Sequence, residues 1–307
     1  MMILAIIQQI IMPIILLIGV GMILQRAFHL DMKTFSKLIL YYYIPALTFV
    51  KIYEAKATTT LLWNVFGFLL LQFLVLFLIG KLVSKLGKHP KPMESSFSNS
   101  IVLTNNGNVG IPVNDLAFHH NPLALSIQMM VVLFELFLTF TYGLINASSA
   151  TMGLMRTVIQ FIKMPVLYCL ILGLLFNLFQ IKLPDFVWIP LNTVANGMLS
   201  LALVSIGAQI ATLKLNSNTG TVLLSSFIRL IISPLIAYGI IYILDLHGTV
   251  AQALWIASAI PTSRNSASLA LEYGNEPEFA AQTVLISTLF SSVTLTAVIY
   301  YAMILFP

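Results

Sequence analysis

The sequence predicts an all-α integral membrane protein of ten transmembrane helices, arranged as two inverted five-helix repeats. Three observations predict it: composition, the count of apolar runs and a set of landmarks that recurs halfway along. Of 307 residues, 59% are apolar or aromatic, only 8% are Asp, Glu, Lys or Arg, and the mean hydropathy is +0.97. Soluble domains carry roughly 25% charged residues, so this supply cannot cover a water-facing surface. That sets aside nucleic-acid binders, cytosolic enzymes and pumps with their own nucleotide-binding domain.

A crossing helix needs about 20 mostly apolar residues. Ten runs qualify, with approximate limits 3–25, 37–53, 61–80, 95–118, 123–146, 157–179, 186–211, 219–244, 250–274 and 279–305. The first lacks a basic leader and is too long for a signal peptide's apolar core, so it reads as a span. The second carries Pro45 and the interfacial aromatics Tyr41, Tyr42 and Tyr43; the third, with Trp63 near one end, is clear. The fourth is interrupted by Asn and Gly, and the fifth is clear, with Glu135 as its acidic residue. The sixth holds Pro165 and the single cysteine, Cys169, which can form no intrachain disulfide. The seventh is weaker because polar residues interrupt it, the eighth contains Arg229, the ninth is broken around Pro261, and the tenth is clear. Pro13, Pro45 and Pro165 are expected to kink or hinge spans one, two and six.

Met12-Pro13 followed by Gly21 recurs as Met164-Pro165 followed by Gly173, an offset of 152. The polar break at Asn105 to Pro112 recurs at Pro261 to Ser268, each just before the last span of its half. Five spans per half is an odd number, so residues 148–307 must enter the membrane from the side opposite to residues 1–147. Lys and Arg counts orient the protein. Connections after odd-numbered spans hold Arg26, Lys33, Lys37, Lys81, Lys85, Lys88, Lys91, Arg156, Lys163 and Lys214, against Lys51, Lys56 and Lys182 on the other side. The odd exits are therefore cytoplasmic and both termini extracytoplasmic, in the plasma membrane.

The fourth span contains Thr104-Asn105-Asn106-Gly107-Asn108-Val109-Gly110-Ile111-Pro112, and the ninth Ile260-Pro261-Thr262-Ser263-Arg264-Asn265-Ser266. Asn and Gly are poor helix formers; Pro112 crowds the carbonyl of Asn108, and Pro261 is expected to free that of Ala257. Irregular backbone survives at membrane depth only when buried in protein or lining a wet cavity. Matched interruptions in an inverted repeat point to a central substrate site. Each following half-helix is expected to present unpaired N–H groups and a positive dipole end to an anion. Arg264 adds a planar fork suited to a carboxylate. The amides of Asn105, Asn106, Asn108 and Asn265 and the hydroxyls of Thr104, Thr262, Ser263 and Ser266 complete the candidate set, with Gly107 and Gly110 alternatively serving close helix packing.

An intramembrane Arg can instead be neutralised by a protein carboxylate. Glu135 is the available partner for Arg264 or for Arg229, and it is also a candidate proton-coupling group. Asp115 and Glu272 lie near span ends. His29, His89, His119, His120 and His247 fall in connections without metal-ligand spacing, so neither metal nor cofactor is expected. Ser95, Ser96 and Ser98 sit in no nucleophile motif, and no enzyme activity is expected.

At the same residues the sequence resembles the auxin efflux carrier family, in its short bacterial branch that includes malate and malonate permeases. Asn105 to Pro112 is similar to the family's Asn-x-Gly-Asn-x-Gly-x-Pro signature; Leu38 to Phe49 with Pro45, and Leu201 to Gln209, resemble its second and seventh spans. The resemblance implies a scaffold of spans one, two, six and seven, and a moving domain of spans three to five and eight to ten. It further implies fourth and ninth helices crossing at Pro112 and Pro261, substrate bound at that crossover, homodimers, and transport of organic anions without ATP. The long hydrophilic loop of the plant carriers is missing. The expected function is alternating-access transport of malate-like dicarboxylates. Inward flux of an anion costs about 2.3 kcal/mol per charge per 100 mV, so uptake would want proton symport. An organic-anion channel, a carrier of auxin-like monocarboxylates and a ligand-sensing receptor remain alternatives.

Overall fold

A computed structural model describes Gln8 and residues 12–54, 59–148, 165–212 and 219–306. Among these residues the chain is helical, with no strand beyond one isolated bridge. We number the helices α1 (Met12–Phe28), α2 (residues 32–54), α3 (Thr59–Leu86), α4 (Lys91–Val102), α5 (residues 106–117), α6 (Pro122–Ser148), α7 (Pro165–Leu178), α8 (Asp185–Thr212), α9 (Thr219–Ile243), α10 (Gly248–Ser258), α11 (Arg264–Tyr273) and α12 (Pro277–Leu305). Five of them, α3 from Leu61 together with α6, α8, α9 and α12, are long and apolar enough to cross a membrane. Helices α1 and α7 are shorter and apolar. The starts of the first and sixth expected spans, with Met164, lie outside the described residues, as do Lys56, Arg156, Lys163 and Lys214.

Helix α6 is the centre of the molecule and is buried over most of its length, whereas α3 turns Trp63, Leu78, Leu82 and Leu86 outward. An apolar exterior of this kind suits lipid and would be a liability in water. Helix α1 packs along α8, and α7 packs along α2. Glycine makes both approaches possible. A Cβ at Gly21 would overlap the backbone of Val204, one at Gly207 the carbonyl of Ile18, and one at Gly173 would sit 3.1 Å from the carbonyl of Phe49. Helices α3, α4, α9, α10, α11 and α12 pack mainly among themselves and on α6.

Among the numbered helices four carry a π turn, at Ile39–Tyr43, Asn106–Gly110, Thr139–Gly143 and Ile228–Ile232. Three of these end two residues before a proline. The amides of Ile44, Ile111 and Ser233 reach back to the carbonyls of Ile39, Asn106 and Ile228, and Pro45, Pro112 and Pro234 come next in the chain. A proline has no N–H to give and its ring crowds the carbonyl four residues back; widening the preceding turn relieves both. Pro45 therefore sits on a π turn, whereas Pro13 and Pro165 lie at the first turns of the described α1 and α7.

Polar residues inside the bundle are mostly spent on packing. In α4, Ser95 donates to the carbonyl of Asn146, Ser96 to that of Asn275, and Ser100 meets Ser225. These hydroxyls knit helices together, as small polar residues do in membranes. His120 pairs with Asp115 and His247 with Asp245 at exposed connections.

Candidate functional site at the helix crossing

Helix α4 ends at Val102 and α10 at Ser258, and the segments that follow, extended at Leu103 and turning at Ala259, meet one another. Thr104 and Thr262 form an antiparallel bridge. The amide of Asn105 donates to the carbonyl of Pro261 at 2.9 Å, and the amide of Ser263 to the carbonyl of Leu103 at 2.9 Å. Each break thus satisfies the other's backbone groups, which makes the interruption tolerable at this depth. Beyond the bridge α5 begins at Asn106 and α11 at Arg264. Four helix ends meet at one point.

The two C-terminal, negative ends are gathered by Arg229. Its guanidinium donates to the carbonyl of Ile101 at 3.0 Å and to that of Ser258, and Thr262 donates to the carbonyl of Ser100 at 2.8 Å. The carbonyl set free ahead of Pro261 is therefore that of Ser258. Ala257, for which the sequence suggested that role, accepts from the amide of Ile260 at 3.4 Å because the helix has already tightened before the proline. The two N-terminal, positive ends are gathered by Glu135. One carboxylate oxygen accepts from the amide of Asn106 at 2.8 Å and the other from the hydroxyl of Ser263, the N-cap of α11, at 3.4 Å. Charge of the opposite sign lies on each pair of dipole ends.

This arrangement corrects two expectations. Glu135 and Arg229 are not among the contact ion pairs of the described residues; each is spent on helix ends of opposite polarity, and they face one another across a small cavity. The positive ends, expected to be open, already hold a protein carboxylate at Asn106 and an N-cap hydroxyl bonded to the amide of Asn265 at 3.2 Å.

Two cavities flank the crossing. The larger, about 150 Å³, is lined on the crossing side by Asn105, Gly107, Asn108, Ser263, Arg264 and Asn265, and on the other by Lys37, Ile39, Tyr41 and Ile44 of α2. The smaller, about 40 Å³, is lined by Thr104, Asn106, Gln72 and Arg229 among apolar neighbours. Glu135 lines both. Gly110, Pro112, Pro261, Thr262 and Ser266 line neither. Gly110 packs against Gln128 and Asn106, and Ser266 turns back to the carbonyl of Ser263 at 2.8 Å. The side chain of Asn106 is held by Gln128 at 3.1 Å and by Thr104 at 2.7 Å, whereas the Asn108 oxygen is buried without a partner.

Lys37 and Tyr41 escaped sequence reasoning, because Lys37 reads as a topology charge and Tyr41 as an interfacial ring. Their spacing of four residues places both on one face of α2, which was the available signal.

A family model described as "Membrane transport protein" matches residues 5–159 and 153–299. The chain belongs to the auxin efflux carrier family of membrane transport proteins. An uncharacterized transporter of Methanocaldococcus jannaschii is 24% identical over 270 residues, covering 84% of this chain and 86% of that one. An uncharacterized transporter of Methanothermobacter thermautotrophicus is 28% identical over 131 residues, 43% of each chain. This auxin efflux carrier homologue is thus a membrane transport protein, and its family and relatives are transporters rather than enzymes.

Proposed function

We propose that the protein is a secondary transporter of small organic anions, malate-like dicarboxylates foremost, working by alternating access in the plasma membrane. The observation that carries this reading is the larger cavity, where Arg264 from the crossing and Lys37 from α2 face the same space. Two cations on opposing walls suit a molecule with two carboxylates, one for the planar guanidinium and one for the ammonium. The polar breaks beside them supply amides and hydroxyls for the remaining oxygens.

The ten-span inverted repeat fits the two broken helices and the reciprocal packing of α1 on α8 and α7 on α2, which relates Gly21 to Gly173. A scaffold of spans one, two, six and seven, with residues 59–148 and 219–306 moving past it, is supported by the way the helix contacts divide. The cavity lies on that boundary, where motion would expose it to alternate sides. Homodimers and extracytoplasmic termini belong to the same reading.

Counterflow in proteoliposomes decides it. Vesicles preloaded with malate should accumulate labelled malate, with malonate and succinate competing more strongly than acetate. No exchange of any carboxylate would end the proposal.

A further inference from the structure

Glu135 is the residue that the two cavities share among those lining them, and its carboxylate holds the amide of Asn106 and the hydroxyl of Ser263. Ser263 lines the larger cavity and Asn106, which lines the smaller one, lies in the chain between Asn105 and Gly107 of the larger, where an incoming carboxylate would seek these donors. We infer that Glu135 is the proton-carrying group of this transporter: it takes up a proton as the anion arrives and gives it up as the anion leaves. The inference rests on the anion-transport reading.

Two carboxylates bidding for the same donors in one buried site cannot both stay ionised at low cost. If the substrate takes the half-helix ends, Glu135 must either remain there as a repelled neighbour or become a neutral acid. The neutral acid is the cheaper state in a bundle interior, and its O–H can then donate to the substrate or to the unpartnered oxygen of Asn108. One proton is bound per anion and no bond other than O–H is made or broken. A monoanion would then cross with no net charge, and a dianion with one negative charge fewer.

The smaller cavity gives the proton a place to arrive. It has room for a water molecule, and the buried Nε–H of Arg229 lines it without a partner, alongside Thr104 and Asn106. Charged and titratable groups facing Glu135 are Arg229 on α9, Arg264 on α11, and Lys37 and Tyr41 on α2. Three of these are cations. They face Glu135 in the empty protein and are shared with the anion once it binds.

The test uses the purified full-length protein and malate between about pH 6.5 and 8.5. If one proton accompanies each anion, wild-type malate affinity should rise up to about tenfold per pH unit of acidification. Glu135→Gln, which mimics the neutral acid, should bind malate with no such slope. In proteoliposomes an inward proton gradient should speed wild-type malate uptake severalfold, with about one proton entering per malate by an internal pH dye. A flat wild-type pH profile, the same slope in Glu135→Gln, or malate exchange without proton entry would overturn the inference and leave the anion reading standing. Failure of the wild type to exchange any carboxylate would sink both. Should Glu135→Gln not fold, the wild-type proton count decides alone.

Discussion

Arg264 and Arg229 both lie in spans that a proline interrupts, yet their surroundings give them different work. Arg264 lines the larger cavity at the first turn of α11, facing Lys37. Arg264→Gln should weaken malate binding about tenfold or more, with thermal stability within about 1 kcal/mol of wild type, because a charge-assisted contact to substrate is lost. Binding measured by ligand-induced thermal shift checks this; unchanged affinity would return Arg264 to a structural role. Lys37→Met should cost dicarboxylates more than monocarboxylates, which a competition series in counterflow would show. Arg229 instead ties the ends of α4 and α10 together from full burial. Arg229→Met should lower stability by about 3 kcal/mol, since two buried carbonyls lose a charged donor. Arg229→Lys should restore little of it, because a point ammonium cannot reach both carbonyls in a fork. Thermal unfolding in detergent distinguishes the two variants.

At the scale of elements, the span pattern was legible because a bilayer demands length and apolarity, and both can be counted. The sequence limits of 61–80 for the third span fall short of α3, which runs to Leu86 because Lys81 and Lys85 extend a helix without needing lipid around them. The breaks were legible at Asn105 to Pro112 and at Pro261, since Gly, Asn and Pro announce irregular backbone. The hydrogen bonding around each break was hidden. The π turn before Pro45 or Pro234 leaves no mark in composition, and the transfer of the freed carbonyl from Ala257 to Ser258 depends on Arg229 and Ser233, distant in sequence. Pairing of Glu135 with helix ends was equally out of reach, because proximity to Asn106 arises only from the crossing. Glycine packing offers a test of α1 against α8. Gly207→Val should destabilise by about 1–3 kcal/mol through backbone displacement. Gly67→Ala, with open space around it, should be neutral or slightly stabilising, as replacing a helical glycine usually is. Melting curves of the two read the difference.

For the whole molecule, orientation is the property that most constrains function. With Cys169→Ser as background, Lys88→Cys should react with a membrane-impermeant maleimide only from the cytoplasmic side, and Gln180→Cys only from outside. Both positions are exposed, in the connections after α3 and α7. Labelling of both from one side would break the inverted arrangement, because the two connections follow an odd and an even span.

The carboxylate resting on the helix ends also bears on the return stroke. A carrier whose site is raw when empty must wait for a new passenger before it can turn, and can only swap one anion for another. Here the unloaded site is already dressed: Glu135 covers the donors that an anion would otherwise have to cover. On the proposed mechanism the empty protein resets by itself, and efflux of malate into anion-free buffer should proceed at a rate comparable to exchange. Such a protein can build a gradient rather than merely trade across one.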